Sequence, residues 1–328
     1  MIFVWYLMAA AVLVLFSIKC ADYVDMLDKK TNMSGAFIGG VILAAVTSLP
    51  EMITSISAVA LGNPGLIIGN VLCSDLFNLC SFGSLTLVAV KAFRTAKVGT
   101  SHFKVLICTV LAYLTTGFVL FSGLDTTFPG VSINIASVVI VILYAISCKF
   151  MASDDSDSDS EDDNDLTVKQ VVVRFVLCAL GLVVASILIT KITDMIDQQY
   201  NLGASLAGAL FLGVATSIPE LTSSIALVRK GNFNAMVGNV VGSNMFNFII
   251  FSVADILAFK SNVYEVSSDS KLLIIFGLAS AFLTMISLTL KSKNEGKKSV
   301  AVNGIIMLCG LLICASYVAF IVCSMANG

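Results

Sequence analysis

The chain has 328 residues, of which 58% are apolar and only 12% charged, with a mean hydropathy of +0.97. Soluble domains run at about 45–50% apolar and about 25% charged. Apolar residues fill the whole length, which excludes a water-soluble enzyme, a disordered regulator, a nucleic-acid binder and a lone anchor on a soluble head, and leaves a polytopic membrane protein.

A membrane-spanning helix needs about 20 mostly apolar residues. The first such segment, 1–19, begins directly as MIFVWYLMAAAVLVLF. With no basic region before it and no clear cleavage site, it is read as a span rather than a removable leader. Further segments follow at 35–61, 64–90, 103–121, 129–150, 168–190, 203–228, 233–259, 271–290 and 300–324, ten in all. Between the fifth and sixth lies SDDSDSDSEDDND, whose eight carboxylates lie between Asp154 and Asp165. The net charge is −2 with these carboxylates and +6 without them. Such a run cannot bury a core, so 151–167 is expected to be a solvated tether between a first half, 1–150, and a second, 168–328. It lacks the glycine and spacing of an EF-hand loop.

Lys and Arg set the expected orientation. Sixteen of the nineteen fall in alternate loops, and only Lys191, Lys260 and Lys271 fall on the other side. The termini are therefore expected outside and the acidic linker in the cytoplasm, most simply at the cell membrane. Five spans per half give the halves opposite orientations.

The halves also share a repeat. GGVILAAVTSLPEMITSISAVALGN is matched by GALFLGVATSIPELTSSIALVRKGN, and GLIIGNVLCSDLFN by NAMVGNVVGSNMFN, at a constant offset of 169 residues. Thr47, Ser48, Pro50 and Glu51 map onto Thr216, Ser217, Pro219 and Glu220. Asn70, Ser74 and Asn78 map onto Asn239, Ser243 and Asn247. Two of the chain's four prolines occupy this one equivalent position. An inverted-topology repeat of this kind marks secondary transporters that bind substrate near the bilayer midplane.

A carboxylate at mid-bilayer costs at least ~2.5–3.5 kcal/mol, so Glu51 and Glu220 must be protonated, paired or bound to a cation. Neither span's interior offers a Lys or Arg. The prolines are expected to break or kink both helices and free carbonyls. Carbonyls, Thr and Ser hydroxyls and carboxylates make an all-oxygen shell suited to hard cations such as Ca²⁺. Ser74, Asn78, Ser243 and Asn247 are expected to face the glutamates as further ligands. Asn70 and Asn239, beside glycines, suit either ion coordination or interhelical hydrogen bonding. Asp75, a third intramembrane carboxylate, sits about 100° round the helix from Ser74 and points either to this site or to a neighbouring helix.

The chain has one histidine, His102, and nine scattered cysteines with no CxxC pair. No soft-metal site or nucleophile–base pair is built from these, and the cysteines read as small buried hydrophobes.

GVATSIPE followed by GNVVGSNMFN resembles the paired alpha-repeats of the sodium/calcium exchanger family, in a prokaryotic-type form without a large regulatory domain. The resemblance implies ten transmembrane helices in two inverted five-helix repeats and alternating access, with inward Na⁺ flow driving Ca²⁺ out. It implies Glu51 and Glu220 as shared ligands of both ions, with Thr47, Ser48, Ser74, Asn78, Thr216, Ser217, Ser243 and Asn247 around them. Some members carry aspartate where Asn247 stands, so the two glutamates alone supply a charge that balances one Ca²⁺ or two Na⁺. The transported ions are then Ca²⁺ and Na⁺, with no cofactor, no nucleic-acid partner and a monomer working in the lipid bilayer. Exchange of Ca²⁺ for H⁺, K⁺-dependent exchange, and a passive cation channel are the alternative readings.

Overall fold

The computed structural model describes residues 2–31, 33–60, 64–124, 126–128, 133–153, 165–200, 206–258, 263–264, 268–293 and 300–327. Most of the acidic stretch, 154–164, lies outside the described residues. The chain is all-helical: α1 (Ile2–Lys30), α2 (Gly35–Thr47), α3 (Leu49–Ala60), α4 (Pro64–Val88), the short α5 (Val90–Thr95), α6 (Ser101–Ser122) and α7 (Ile135–Ala152) precede the acidic stretch. After it come α8 (Val168–Tyr200), α9 (Leu206–Arg229), α10 (Phe233–Leu257), α11 (Ser268–Lys293) and α12 (Val300–Asn327). An isolated bridge between Thr127 and Asn134 is the one extended pairing among the described residues.

Among the described residues, eight helices are individually long and apolar enough to cross a bilayer, and α2 with α3 forms a ninth candidate, bent by 43°. Helix α9, 24 residues long, occupies the position of the seventh predicted segment. The distribution of polarity is that of a membrane protein. Large apolar side chains such as Trp5, Leu7, Phe118, Leu177 and Val318 face outward, while Glu51, Asp75, Asn78, Glu220 and Asn247 are buried inside.

Helix α1 continues to Lys30, well beyond the predicted end at residue 19. Its last turns are held by polar contacts with the turn between α9 and α10. Lys230 pairs with Asp22 at 3.2 Å, and Asn232 donates to Asp25 at 3.0 Å and to Asp28 at 2.8 Å. Tertiary pairing thus extends a helix that hydropathy alone ends at the membrane boundary. Helix α8 likewise outruns its predicted end at 190, reaching Tyr200.

The two proline positions differ. Ser48 leaves helical geometry (φ −88°, ψ 7°), which separates α2 from α3. Pro50 falls in the first turn of α3, where its missing N–H removes no bond. A π-helical turn at Ile38–Leu43 precedes the break and adds a residue to that stretch of α2. Pro219 instead lies inside an uninterrupted α9, contrary to the expected second break. Here Thr222, where the first copy has Ile53, donates to the carbonyls of Ile218 (2.8 Å) and Pro219 (3.3 Å).

Helices α4 and α10 run through the centre. Helix α10 packs on α2, α4, α6 and α7, while α1 pairs with α8 and α9, and α12 lies against α4 and α11. The seam between α10 and the π-turn is backbone on backbone. A Cβ at Gly242 would collide with the carbonyl oxygen of Gly40, and one at Gly39 with that of Ala235. At Gly238 a Cβ would lie 2.9 Å from the Gly40 nitrogen. Glycine lets the two backbones touch there, which fixes the height of α10 against α2.

This contact predicts a contrast between two glycines. Gly242→Ala must push α10 off α2, an overpacking cost of about 1–3 kcal/mol or more, whereas Gly69→Ala meets nothing within 4 Å. Thermal unfolding in detergent is expected to show a clear fall in Tm for the first variant and none for the second.

Candidate ion-binding site

The site forms where the α2–α3 break meets the middle of α9 and both face α4 and α10. Glu51 lies in the first turn of α3 and is 0% exposed; Glu220 lies in α9 and is 1% exposed. The two are held crosswise. Ser217 donates to Glu51 Oε1 at 2.9 Å, and Ser48 donates to Glu220 Oε1 at 2.8 Å. These bonds join equivalent positions of the two sequence copies, so each copy's serine serves the other's carboxylate. Ser74, from α4, makes a longer bond of 3.4 Å to Glu51 Oε1. The second oxygen of each glutamate, Oε2, is buried and has no hydrogen-bond partner.

Two asparagines anchor the glutamate-bearing segments to the central helices. Asn70 of α4 donates to the Glu51 carbonyl and to Ser55 Oγ, both at 3.1 Å. Asn239 of α10 donates to the Glu220 carbonyl (3.3 Å), Ser223 Oγ (3.1 Å) and Ser224 Oγ (3.0 Å). Its Oδ1 also lies 3.5 Å from the Thr47 hydroxyl, which bonds back to Leu43 at 3.1 Å. The side-chain amides of Asn70 and Asn239 are therefore interhelical donors, while Asn70 Oδ1 is buried without a hydrogen-bond partner. Sequence reasoning misses Ser55 and Ser224, although they obey the same 169-residue offset and stand four residues beyond each glutamate.

Further along α4 and α10 lies a second group. Asn247 Nδ2 donates to Asp75 Oδ1 at 2.9 Å, and Asn244 Nδ2 donates to the Asp75 carbonyl at 3.2 Å. Asp75 thus points across to α10, the neighbouring-helix alternative. Tyr113 of α6 approaches it. Several buried polar atoms here have no partner: Asp75 Oδ2, both polar atoms of Asn78, Ser243 Oγ, Asn244 Oδ1 and Asn247 Oδ1. Thr216 is fully buried alongside Ser217. Ser74 and Ser217 therefore contact Glu51 and Ser48 contacts Glu220, while Asn247 contacts Asp75 instead.

Native proteins leave few buried polar atoms unmatched, because each costs about 1–3 kcal/mol. A concentration of them, oxygens above all, in the middle of an apolar bundle offers the kind of donors a hard cation takes. No group of three or more His, Cys, Asp and Glu with metal-site geometry occurs among the described residues. What the structure brings together at the α2–α3 break and the middle of α9 is two carboxylates and neutral oxygens. His102 belongs elsewhere, with Nε2 2.7 Å from Asn234 Oδ1.

A bundle of apolar helices around buried, cation-seeking oxygens defines a membrane ion transporter. The chain belongs to the sodium/calcium exchanger protein family, which it matches over residues 1–152 and 170–326. Among curated proteins it is similar to an uncharacterized membrane protein of Methanocaldococcus jannaschii, 28% identical over 65% of this chain and 68% of that one. It is also similar to the putative antiporter CaxA of Alkalimonas amylolytica, 27% identical over 70% of this chain and 72% of the other. Over a shorter stretch, 25% of this chain and 13% of the relative, it is 28% identical to mouse sodium/potassium/calcium exchanger 4. Its fold matches that of the sodium–calcium exchanger NCX_Mj soaked with 100 mM Na⁺ and 10 mM Sr²⁺, with a TM-score of 0.70 and 20% identity over 97% of this chain and 98% of the other.

The asparagine scaffold generates a ranked prediction. Asn239→Ala leaves three acceptors without the amide group that they share and Asn70→Ala leaves two, so both are expected to destabilise the fold, by about 1–3 kcal/mol for each buried group left unmatched. The Asn239 variant is expected to melt at the lower temperature in detergent.

Proposed function

We propose that the chain is a secondary antiporter that exchanges Na⁺ for Ca²⁺ by alternating access, with the ions held between Glu51 and Glu220. The observation that carries this reading is the pair of fully enclosed glutamates, crosswise bonded through Ser48 and Ser217, each with one carboxylate oxygen unmatched. Family membership supports the transport class.

In this reading Thr47, Ser48, Thr216 and Ser217 supply hydroxyl or carbonyl oxygens beside the glutamates. Ser74, Asn78, Ser243 and Asn247 complete the shell from α4 and α10, and Asn70 and Asn239 hold its walls. The two glutamates balance one Ca²⁺ or two Na⁺. Asp75 brings a third carboxylate into contact with Asn247 and adds a place for one further monovalent ion. Competition of Na⁺ and Ca²⁺ for the same carboxylates couples the two flows, because occupancy by one ion excludes the other.

The chain crosses the membrane ten times, as two inverted five-helix halves, 1–150 and 168–328, with the termini outside and 151–167 in the cytoplasm. The unlike geometry at Pro50 and Pro219 supports alternating access. One copy is broken and the other continuous, and exchange of these roles between two copies of opposite orientation would open the site to the opposite side.

Radiolabelled Ca²⁺ uptake into proteoliposomes under separate Na⁺, K⁺ and H⁺ gradients tests the reading. Uptake is expected to follow the Na⁺ gradient and to vanish in Glu51→Gln and Glu220→Gln, with both variants still inserted and folded. Uptake driven by pH instead identifies Ca²⁺/H⁺ exchange. A K⁺ requirement identifies the activity named for the mouse relative. Flux with no trans counter-ion identifies a channel. Full activity in either glutamine variant refutes the site.

Asp75→Asn provides a separate measurement. It is expected to lower the Hill coefficient for Na⁺ by about one while Ca²⁺ binding persists, and an unchanged coefficient removes Asp75 from the ion path.

A further inference from the structure

Asp75 turns only one carboxylate oxygen toward α10. Its Oδ1 accepts from Asn247, and its Oδ2 is buried with no partner. Tyr113 of α6 is also fully buried, and its hydroxyl approaches this carboxyl without closing a hydrogen bond. The ring is firmly seated. It lies over Gly277 of α11, where a Cβ would stand 2.6 Å from the hydroxyl oxygen, and it meets Phe248 of α10 edge-on with ring centres 4.9 Å apart. Two more buried hydroxyls stand one helical turn from this contact. Thr116 follows Tyr113 along α6, and Ser280 follows Gly277 along α11. Neither hydroxyl has a hydrogen-bond partner. Four unmatched oxygens, from three helices, thus lie within a turn of the place where Tyr113 crosses Gly277.

This group differs from the glutamate pair in charge. One carboxylate and three hydroxyls carry a single negative charge, and neither α4 nor α10 contains a Lys or Arg to offset it. In α6 and α11 such residues occur only in the first or last turn. A buried anion with no cationic side chain beside it needs a bound cation or a proton. One monovalent ion balances the charge, whereas Ca²⁺ would leave a net positive charge in the apolar bundle. A proton would answer Asp75 and Tyr113 and leave Thr116 and Ser280 unmatched. A hard cation takes several oxygens at once, which is what these helices supply.

We propose that Asp75 Oδ2 and the hydroxyls of Tyr113, Thr116 and Ser280 form a separate monovalent-cation site, which takes a dehydrated Na⁺ and rejects Ca²⁺. Its role rests on the exchange reading, since it gives the third monovalent ion a place apart from the glutamate oxygens that Na⁺ and Ca²⁺ share. Tyr113 is the residue that builds the site, because Gly277 and Phe248 hold its hydroxyl toward the acid of α4.

The test uses the full chain carrying Glu51→Gln with Glu220→Gln, in which the glutamate pair has lost its charge. Its Tm in detergent is followed against Na⁺ at constant ionic strength, with choline as the replacing cation. Na⁺ is expected to raise the Tm and Ca²⁺ to leave it unchanged. Adding Asp75→Asn is expected to abolish the Na⁺ response. Tyr113→Phe keeps the ring over Gly277 and removes only the hydroxyl, so it is expected to raise the Na⁺ midpoint about tenfold without lowering the Tm in choline. Thr116→Val with Ser280→Ala is expected to raise the midpoint likewise. With both glutamates intact, Tyr113→Phe is expected to leave the binding of radiolabelled Ca²⁺ unchanged, a split that a merely structural role would not produce. An unaltered midpoint in either hydroxyl variant, or a Na⁺ response that survives Asp75→Asn, overturns the proposal. So does a Tm that follows pH and ignores Na⁺, which makes Asp75 a proton site. If the double glutamine chain does not fold, the Na⁺ Hill coefficient of Tyr113→Phe with both glutamates intact is read instead. It is expected to fall toward that of Asp75→Asn, and an unchanged value overturns the proposal. Failure of the exchange reading shows separately, as absent Ca²⁺ binding in the chain with both glutamates.

Discussion

The organising constraint is the cost of two carboxylates in the centre of an apolar bundle. Both are buried among apolar helices, so every oxygen of Glu51 and Glu220 needs a partner or an ion. Ser48 and Ser217 answer one oxygen of each and leave the other open. Much of the surrounding architecture follows from holding that arrangement. The helix break at Ser48 turns its hydroxyl toward α9, Asn70 and Asn239 tie the glutamate segments to α4 and α10, and the glycine seam sets α10 at the height where these bonds close.

The asparagines and glycines share the work of positioning in different ways. Asn239 places its NH2 group within reach of three acceptors across a helix interface, so its two hydrogens are shared among them. Gly242 and Gly40 contribute no side chain at all, and their absence of bulk is the contact. In a bilayer, where lipid tails are as apolar as leucine, association between helices comes from such close packing and from buried hydrogen bonds rather than from expulsion of water.

Much of the site is legible in the sequence. The 169-residue offset finds both glutamates, both serine partners and both asparagines, because polar residues repeated in step within apolar spans stand out against their surroundings. It equates Ser55 with Ser224 too, so these scaffold acceptors are visible to the same comparison. Less visible are features that depend on a distant partner. The π-turn at Ile38–Leu43 is tied to close approach by α10, and local propensity does not encode it. Pro50 and Pro219 occupy equivalent positions and nevertheless end differently, one in the first turn of a helix that follows a break and the other inside a continuous helix. The length of α1 is set by a turn some two hundred residues away. The Asp75–Asn247 bond crosses the two copies at positions that do not correspond under the offset, so a search for symmetry cannot find it.

That last bond carries an implication for how such duplicated chains diverge. Once one copy has gained an acid and the other keeps an amide opposite it, the halves are no longer interchangeable modules. A hybrid built by replacing α4 with a sequence copied from α10 would lose the acid and keep both amides. The chain's ancestry is symmetrical, but its present chemistry has a handedness written in a single carboxyl group.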